Sequence, residues 1–118
     1  MRYPPFKQVS QSESSVTAEF ETLPDLIWFE GHFPEEKILP GVAVIGFLLR
    51  CMRDFLGIDL EKQPCTLQQI KFNSPLRPCM IIRMNIAVTA RDGDGGRISF
   101  AVTEKISERI CCSGKLKW

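Results

Sequence analysis

The residues best suited to chemistry surround His32, the only histidine of the sequence. His32 lies in residues 31–34 (GHFP), and residues 38–42 (ILPGV) follow after three further residues and open the longest apolar run of the chain. An imidazole near neutral pH can serve as a general base. The N–H groups that begin a helix favour negative charge on an oxygen. Together these features suit proton removal beside a carbonyl group.

The element expected to position these groups is a helix over residues 40–56. Apolar residues recur there at spacings of three and four, and the first two turns are apolar nearly all round, so the helix is predicted to be buried. Pro40 suits the first turn, and Gly57 suits the residue after the last. Gly46 lies four residues before Arg50 on the same row of the helix. That polar row is narrow and consists of Arg50, Arg53 and Asp54.

Most of the remaining sequence alternates between apolar and polar residues, which predicts strands with one buried face. The alternation covers residues 15–22, 66–74, 80–90, 97–104 and 109–118. Residues 91–96 (RDGDGG) predict a hairpin turn. Residues 1–14 mix prolines with polar residues and are predicted to form a loose N-terminal arm or a loose first strand.

One long helix and about five strands predict an α+β architecture, in which an antiparallel sheet wraps around the helix as a single domain over residues 1–118. A single helix covers only one face of the sheet. We therefore expect the other face or an edge strand to pair with a second copy, which would give a dimer.

The composition excludes several classes of protein. The chain has 118 residues, 44% of them hydrophobic and 25% charged, with a formal net charge of +1, so no general attraction to nucleic acid or membrane is expected. No run reaches the roughly 18 apolar residues of a membrane span, and the N-terminus lacks the apolar region of a secretory signal. We expect a cytoplasmic protein.

The five cysteines show no C-x-x-C spacing, and with one histidine available they argue against a zinc site. They are predicted to be reduced and mostly buried. Cys111 and Cys112 are expected to point to opposite faces of a strand. The full set is Cys51, Cys65, Cys79, Cys111 and Cys112.

The motif around His32 resembles that of a known family. Residues 31–34 (GHFP) and 38–42 (ILPGV), a hydrophobic helix, and then residues 70–78 (IKFNSPLRP) are similar to the hotdog-fold 3-hydroxyacyl-acyl-carrier-protein dehydratases. The short length is most similar to the aryl-polyene type of that group. The resemblance covers roughly residues 29–83 by motif and the remainder only by strand order.

The resemblance implies elimination of water from a 3-hydroxyacyl thioester, giving a trans-2-enoyl thioester. The acyl group would be carried on the phosphopantetheine of an acyl carrier protein or on CoA, with no metal or redox cofactor. His32 matches the catalytic histidine of the family, and Gly41 and Val42 match the backbone N–H groups that bind the thioester oxygen. The expected substrate tunnel is lined by Phe33, Pro40 and Phe72.

Three basic residues and one cysteine are also notable within the resemblance. Lys71, Arg77 and Arg83 lie where they could meet an acidic carrier, although basic residues on strands are usually just solvated. Cys79 replaces the glycine commonly found after the second proline of R-P-G, and we interpret it as a packing residue.

The sequence departs from the family at one important position. The family carries an Asp or Glu five residues after the glycine of P-G-V, where it helps to expel the hydroxyl as water, and this chain has Gly46 there. Loss of a general acid typically removes a factor of about 10²–10⁴ in rate. Three accounts are open: His32 performs both proton transfers, Arg50 orients a water or the hydroxyl, or a different hotdog subunit supplies the carboxylate.

Three functions follow from these observations. The first is a 3-hydroxyacyl-thioester dehydratase, and the second is a noncatalytic acyl-carrier-binding subunit of a hetero-oligomer. The third, thioester hydrolysis on the same fold, is less favoured because no nucleophile or acidic base is evident on the helix. A lone histidine is more often structural than catalytic, and only the surrounding motif favours a site role for His32.

Overall fold

The computed structural model describes residues 1–30, 37–61 and 63–118. These ranges contain one α-helix, α1 (Gly41–Leu56), and a short 3-10 turn (Ile27–Phe29). They also contain six strands: β1 (Lys7–Gln11), β2 (Ser15–Glu21), β3 (Thr66–Phe72), β4 (Ile81–Asp92), β5 (Gly95–Glu104) and β6 (Ile110–Lys117).

The strands form one antiparallel sheet in the order β1-β2-β4-β5-β6-β3. β1 and β3 are therefore the two edges, and the predicted hairpin joins β4 to β5. The inward side chains of the sheet and the buried face of α1 form one hydrophobic core. This arrangement is the α+β hotdog fold that the sequence predicted.

Helix α1 has the boundaries expected from its sequence. Pro40 precedes the first turn in an extended conformation, and Gly57 ends the helix with φ of +69°. Its buried face consists of Ala43, Val44, Phe47, Leu48, Cys51 and Met52. In the described part of the chain, no helix is both long enough and apolar enough to span a membrane.

The N-terminal arm is held in place rather than loose. Lys7–Gln11 forms β1 and pairs with β2, and the aromatic rings of Tyr3 and Phe6 pack against Phe47 of α1. The backbone N–H of Ile27 also donates to the carbonyl of Met1 at 2.8 Å. Of the two alternatives expected for residues 1–14, an arm or a first strand, the strand is present. Its bounds could not be predicted, because all five of its residues are exposed and no apolar alternation marks it.

Both adjacent cysteines, Cys111 and Cys112, are buried, and the strand is irregular where they lie. Val102 pairs with Cys112 and Thr103 pairs with Ile110, which leaves Cys111 as an extra residue in β6. Such a bulge breaks the simple alternation of a strand.

Cys79 is not the packing residue expected from the sequence, because its side chain is exposed. Its backbone has φ of +68°, a conformation that glycine adopts without strain. The positive φ at this position therefore explains why glycine is usual there. The segment is held by Thr22, which is fully buried and whose carbonyl accepts from the N–H of Cys79 at 2.7 Å.

Candidate active site

A cleft of about 360 Å³ opens at the N-terminal end of α1. Pro40, Gly41 and Val44 form its helical wall, and Phe72 begins the opposite wall. Its lining is mostly apolar, which suits the carbon chain of an acyl group. Two of the predicted tunnel residues, Pro40 and Phe72, thus lie beside Gly41.

The ring of Phe72 lies directly against Gly41. A Cβ atom added at Gly41 would be 2.7 Å from Cζ of Phe72, which is closer than side-chain carbon atoms approach each other. Phe72 is nevertheless 56% exposed, so its ring forms the outer wall of the cleft. Glycine is therefore required at position 41 if the ring is to keep this place.

The start of α1 offers backbone donors to the cleft. No side chain of the described residues caps the helix, and the first intrahelical bonds run from the N–H groups of Ala43 and Val44 to the carbonyl of Pro40. Within the described residues, the N–H groups of Gly41 and Val42 have no acceptor. Such amides, at the positive end of the helix dipole, can stabilise charge on a thioester oxygen. The Val42 side chain is 71% exposed, so only its backbone can take part.

Three backbone hydrogen bonds fix the loop opposite the helix. The N–H of Leu39 donates to the carbonyl of Leu76 at 2.8 Å, which ties the approach to α1 to this loop. The N–H groups of Asn73 and Ser74 both donate to the carbonyl of Cys111, at 2.8 and 3.2 Å. The bulge at Cys111 thus supports the loop that lines the cleft.

A second bulge, in β3, orients the side chain of Phe72 toward α1. Gln68 pairs with Lys115 and Lys71 pairs with Ser113. Between these two pairs β3 advances by three residues and β6 by two, so β3 contains one extra residue. Gln69 lies in this bulge with φ of +53°. The extra residue keeps Lys71 on the outer face and turns the next side chain, that of Phe72, toward Gly41.

Cys112 also lines the cleft, and its thiol is poorly suited to covalent catalysis. Burial raises the pKa of the Cys112 thiol to about 11, and the neighbouring Cys111 adds to the effect. Near neutral pH the group is therefore a neutral thiol rather than a nucleophilic thiolate.

A separate recess of about 230 Å³ lies along the exposed row of α1. Gly46, Arg50 and Tyr3 contribute to it, and the Arg50 guanidinium carbon is 4.1 Å from the centre of the Tyr3 ring. Among the described residues, a Cβ atom added at Gly46 would meet nothing within 4 Å. Position 46 is therefore open to a larger side chain, and Arg50 stacks on the N-terminal arm.

The cleft at Gly41 and the recess at Gly46 are distinct sites on this chain. Five residues turn an α-helix through about 500°, which places Gly46 roughly 140° around the axis from Gly41. The two cavities share no lining residue in the part of the chain that the structure describes. Within one chain, Arg50 thus accompanies Gly46 and does not line the cleft at Gly41.

His32 and Phe33 lie outside the described residues, together with the rest of residues 31–34. Their roles stay predictions. The motif of residues 70–78 includes the loop after β3, but sequence reasoning named only Phe72 of it as a lining residue, and residues 73–76 line the cleft as well. Sequence reasoning also missed both bulges, which leave no periodic signal in the sequence.

Comparison with known proteins gives a consistent family. Residues 8–115 match the ApeI-like family, described as ApeI dehydratase. The 3-hydroxyacyl-[acyl-carrier-protein] dehydratase FabZ of Chlamydia muridarum is 27% identical over 99 residues, covering 77% of this chain. The chain spans 63% of the length of that relative.

Two solved structures are similar over nearly the whole chain. The Dehydratase Heterocomplex ApeI:P from Xenorhabdus doucetiae matches with a TM-score of 0.72 and 21% identity, covering 98% of this chain and 96% of that one. An uncharacterized protein from Erwinia carotovora matches with a TM-score of 0.68 and 27% identity, covering 97% and 94%. Because the family match runs from residue 8 to residue 115, the chain belongs to the ApeI-like dehydratase family.

Proposed function

We propose that this protein eliminates water from a 3-hydroxyacyl thioester, carried on the phosphopantetheine of an acyl carrier protein, and releases a trans-2-enoyl thioester. The observation that carries the proposal is the cleft at the start of α1, where Gly41 lies under Phe72 and the first helical amides have no acceptor among the described residues. The family match and the GHFP motif of residues 31–34 support it.

In the proposed reaction His32 removes the proton from the carbon next to the thioester carbonyl. The electrons of that C–H bond form the new C=C bond as the C–O bond to the 3-hydroxyl breaks. The N–H groups of Gly41 and Val42 stabilise the negative charge that develops on the thioester oxygen. The leaving hydroxyl gains a proton and departs as water.

The donor of that last proton is the missing part of the site. Arginine cannot act as an acid near neutral pH, because its guanidinium group keeps its proton in proteins. Arg50 is moreover stacked on Tyr3, in the recess that does not include Gly41. The remaining sources are His32 itself, which would perform both transfers slowly, or a carboxylate from another chain.

A second hotdog subunit is the source that the open space at Gly46 favours. Neither packing nor a positive φ requires glycine there, so the fold does not explain the loss of the acid. The similar structure from Xenorhabdus doucetiae is a dehydratase heterocomplex by its own description. In the proposed assembly this chain contributes His32 and the amides of α1, and the partner contributes the acid.

The reaction can be tested with the purified protein and a 3-hydroxyacyl thioester on its carrier, following enoyl formation and free thiol in parallel. Enoyl product that disappears in His32→Ala is expected, with unchanged thermal unfolding of the variant. Free thiol without enoyl would instead indicate hydrolysis. If neither product forms while the acyl carrier still binds, the chain is a noncatalytic subunit.

The assembly requires a separate test, which is purification of the tagged chain from its native host. A second hotdog protein carrying an Asp or Glu at the position of Gly46 is expected in the complex, and its addition is expected to raise the rate. Recovery of only self-associated chain that is already fully active would rule out the heteromer.

A further inference from the structure

Thr22, which directly follows β2, is the only buried polar side chain among the residues that the structure describes. A buried hydroxyl is costly unless it is hydrogen-bonded. The Thr22 hydroxyl donates to the carbonyl of Arg77 at 2.6 Å and accepts from the N–H of Met80 at 2.8 Å. These partners lie 55 and 58 residues further along the chain, so the hydroxyl joins two segments that are distant in sequence.

The backbone of Thr22 binds the same distant segment. Its N–H donates to the carbonyl of Met80 at 2.9 Å, and its carbonyl accepts from the N–H of Cys79 at 2.7 Å. These two bonds do not depend on the side chain at position 22, whereas the bond to Arg77 does. The hydroxyl is therefore the part of Thr22 that holds the residue directly after Leu76.

Residues 73–80, between β3 and β4, form a loop whose first half lines the cleft. The carbonyl of Cys111 holds the beginning of this loop, and Thr22 holds its end. Pro75 and Leu76 lie between these two attachments, and both line the cleft. Pro75 has no N–H group to donate, so the shape of this stretch depends on the attachments at either side.

Leu76 connects the loop to the start of α1. Its side chain is buried, and its carbonyl accepts from the N–H of Leu39 at 2.8 Å. Leu39 immediately precedes Pro40, and the helix begins at Gly41. A displacement of Leu76 would therefore reach the first helical amides through one hydrogen bond and two residues of backbone.

We infer that Thr22 is a positioning residue for the cleft, because its hydroxyl fixes the loop to which the start of α1 is bonded. The inference rests on the proposed function, in which the N–H groups of Gly41 and Val42 bind the thioester oxygen. Thr22 is not among the described residues that line the cleft, so it acts only through the loop. Since the amides stabilise charge that develops in the transition state, their displacement lowers kcat more than it changes KM.

The test begins with Thr22→Val, which removes the hydroxyl and keeps a β-branched side chain of similar size. The substrate is a short carrier-free 3-hydroxyacyl thioester, so carrier binding does not enter the measurement. We expect kcat to fall about tenfold to a hundredfold, because small misplacements in a site have effects of that size. KM is expected to stay within about twofold, since interactions made only in the transition state do not contribute to it.

Two matched variants separate the hydroxyl from the stability of the fold. Thr22→Ser keeps the hydroxyl and loses a buried methyl group, so it is expected to retain most of kcat although its stability falls. Thr17→Val is the same substitution elsewhere on β2, where the Thr17 hydroxyl donates to Oδ1 of Asn85 at 2.8 Å in an exposed position. It is expected to leave kcat unchanged.

Amide hydrogen exchange, followed by NMR, tests the inference without any reaction. In Thr22→Val the N–H of Leu39 is expected to exchange about tenfold faster, relative to the N–H of Leu48, than it does in the wild type. Leu48 is fully buried in the middle of α1. A purely structural role would accelerate both amides equally, through unfolding of the whole domain. If the wild type forms no enoyl product, the proposed function fails and this comparison alone decides the inference.

Three outcomes would overturn the positioning role. One is Thr22→Val with an unchanged exchange ratio or an unchanged kcat, and the others are equal losses of kcat in Thr22→Ser or in Thr17→Val. If Thr22→Val does not fold, Thr22→Cys takes its place, because a thiol has nearly the shape of the serine hydroxyl and is a weaker donor. Thr22→Cys with the kcat and the exchange ratio of Thr22→Ser would likewise contradict the inference.

Discussion

Gly41 and Gly46 lie five residues apart on α1, and their surroundings are opposite. A side chain at Gly41 would collide with the ring of Phe72, whereas a side chain at Gly46 would enter open space. Both residues are helical, and neither has a positive φ. A side chain at the first glycine would have to displace the exposed Phe72 ring, whereas one at the second would displace nothing in the described part of this chain.

The comparison separates a helical glycine that has a close neighbour, Gly41, from one that has none among the described residues, Gly46. Glycine inside a helix costs about 0.5–1 kcal/mol relative to alanine, because the unfolded chain loses more freedom on folding. At Gly41 the close approach of Phe72 explains that cost. At Gly46 no contact among the described residues explains it, and the resemblance to the dehydratases predicts an acidic residue at this position.

The largest expected effect comes from returning a carboxylate to position 46. Gly46→Glu is expected to raise the dehydration rate of the isolated protein by about 10²–10⁴, because a general acid contributes a factor of that size. The open space at Gly46 accommodates the side chain. Gly46→Gln is the matched control, since it has nearly the same shape and no acid. An equal gain in both variants would contradict the proton-donor account.

The next effect tests the packing of Gly41. Gly41→Ala is expected to displace the Phe72 ring and to lower kcat/KM on the order of 10²-fold, as small misplacements in a site can do. It is also expected to destabilise the fold by about 1–3 kcal/mol through overpacking. Adding Phe72→Ala should restore much of the stability, which thermal unfolding of the single and double variants would reveal. A destabilisation that Phe72→Ala leaves unchanged would place the clash elsewhere.

A smaller effect is expected at Cys79, where the backbone adopts a conformation typical of glycine without having one. Left-handed backbone costs a non-glycine residue about 1–2 kcal/mol, part of which glycine's greater freedom in the unfolded chain offsets. Cys79→Gly is therefore expected to stabilise the protein by about 1 kcal/mol in urea unfolding. Cys79→Ala keeps the strain and removes the thiol, so it should leave stability nearly unchanged.

The smallest expected effect is that of Gly46→Ala on the free energy of unfolding. Gly46→Ala is expected to stabilise the protein by about 0.5–1 kcal/mol, because alanine is the better helix former and its methyl group meets no neighbour. Urea unfolding of the purified variant measures it. Loss of stability would mean that the face around Gly46 is covered by a chain packed closely against it.

Periodicity predicted much of the fold and less of the site. The helix ended at Gly57 as expected, and the alternation of Ile82, Met84 and Ile86 in β4 placed these side chains in the core. Those elements each bury a regular apolar face, which the sequence displays directly. β1 buries no such face, and its pairing with β2 depends on backbone groups that all residues share.

The site is less predictable because irregular backbone shapes it. The motif singled out Gly41 and Phe72, and both line the cleft. Their contact, however, depends on the extra residue in β3, and the loop after β3 depends on the extra residue at Cys111. The row that Arg50 shares with Gly46 predicts an accessory role for Arg50, but sequence spacing does not reveal the Tyr3 ring on which Arg50 stacks.

The additional residue of β3 also sets which side chains reach the cleft. If the bulge were lost with every residue kept, strict alternation from Gln68 onward would exchange the sides on which Lys71 and Phe72 emerge. A positive charge would then enter the apolar cavity, and the Phe72 ring would face away from Gly41. Deleting Gln69 removes one residue together with the bulge, so it would leave both side chains on their present sides. A slip of one residue in the pairing of this edge strand would therefore disable the proposed entry of the acyl group, although no residue of the cleft had been substituted.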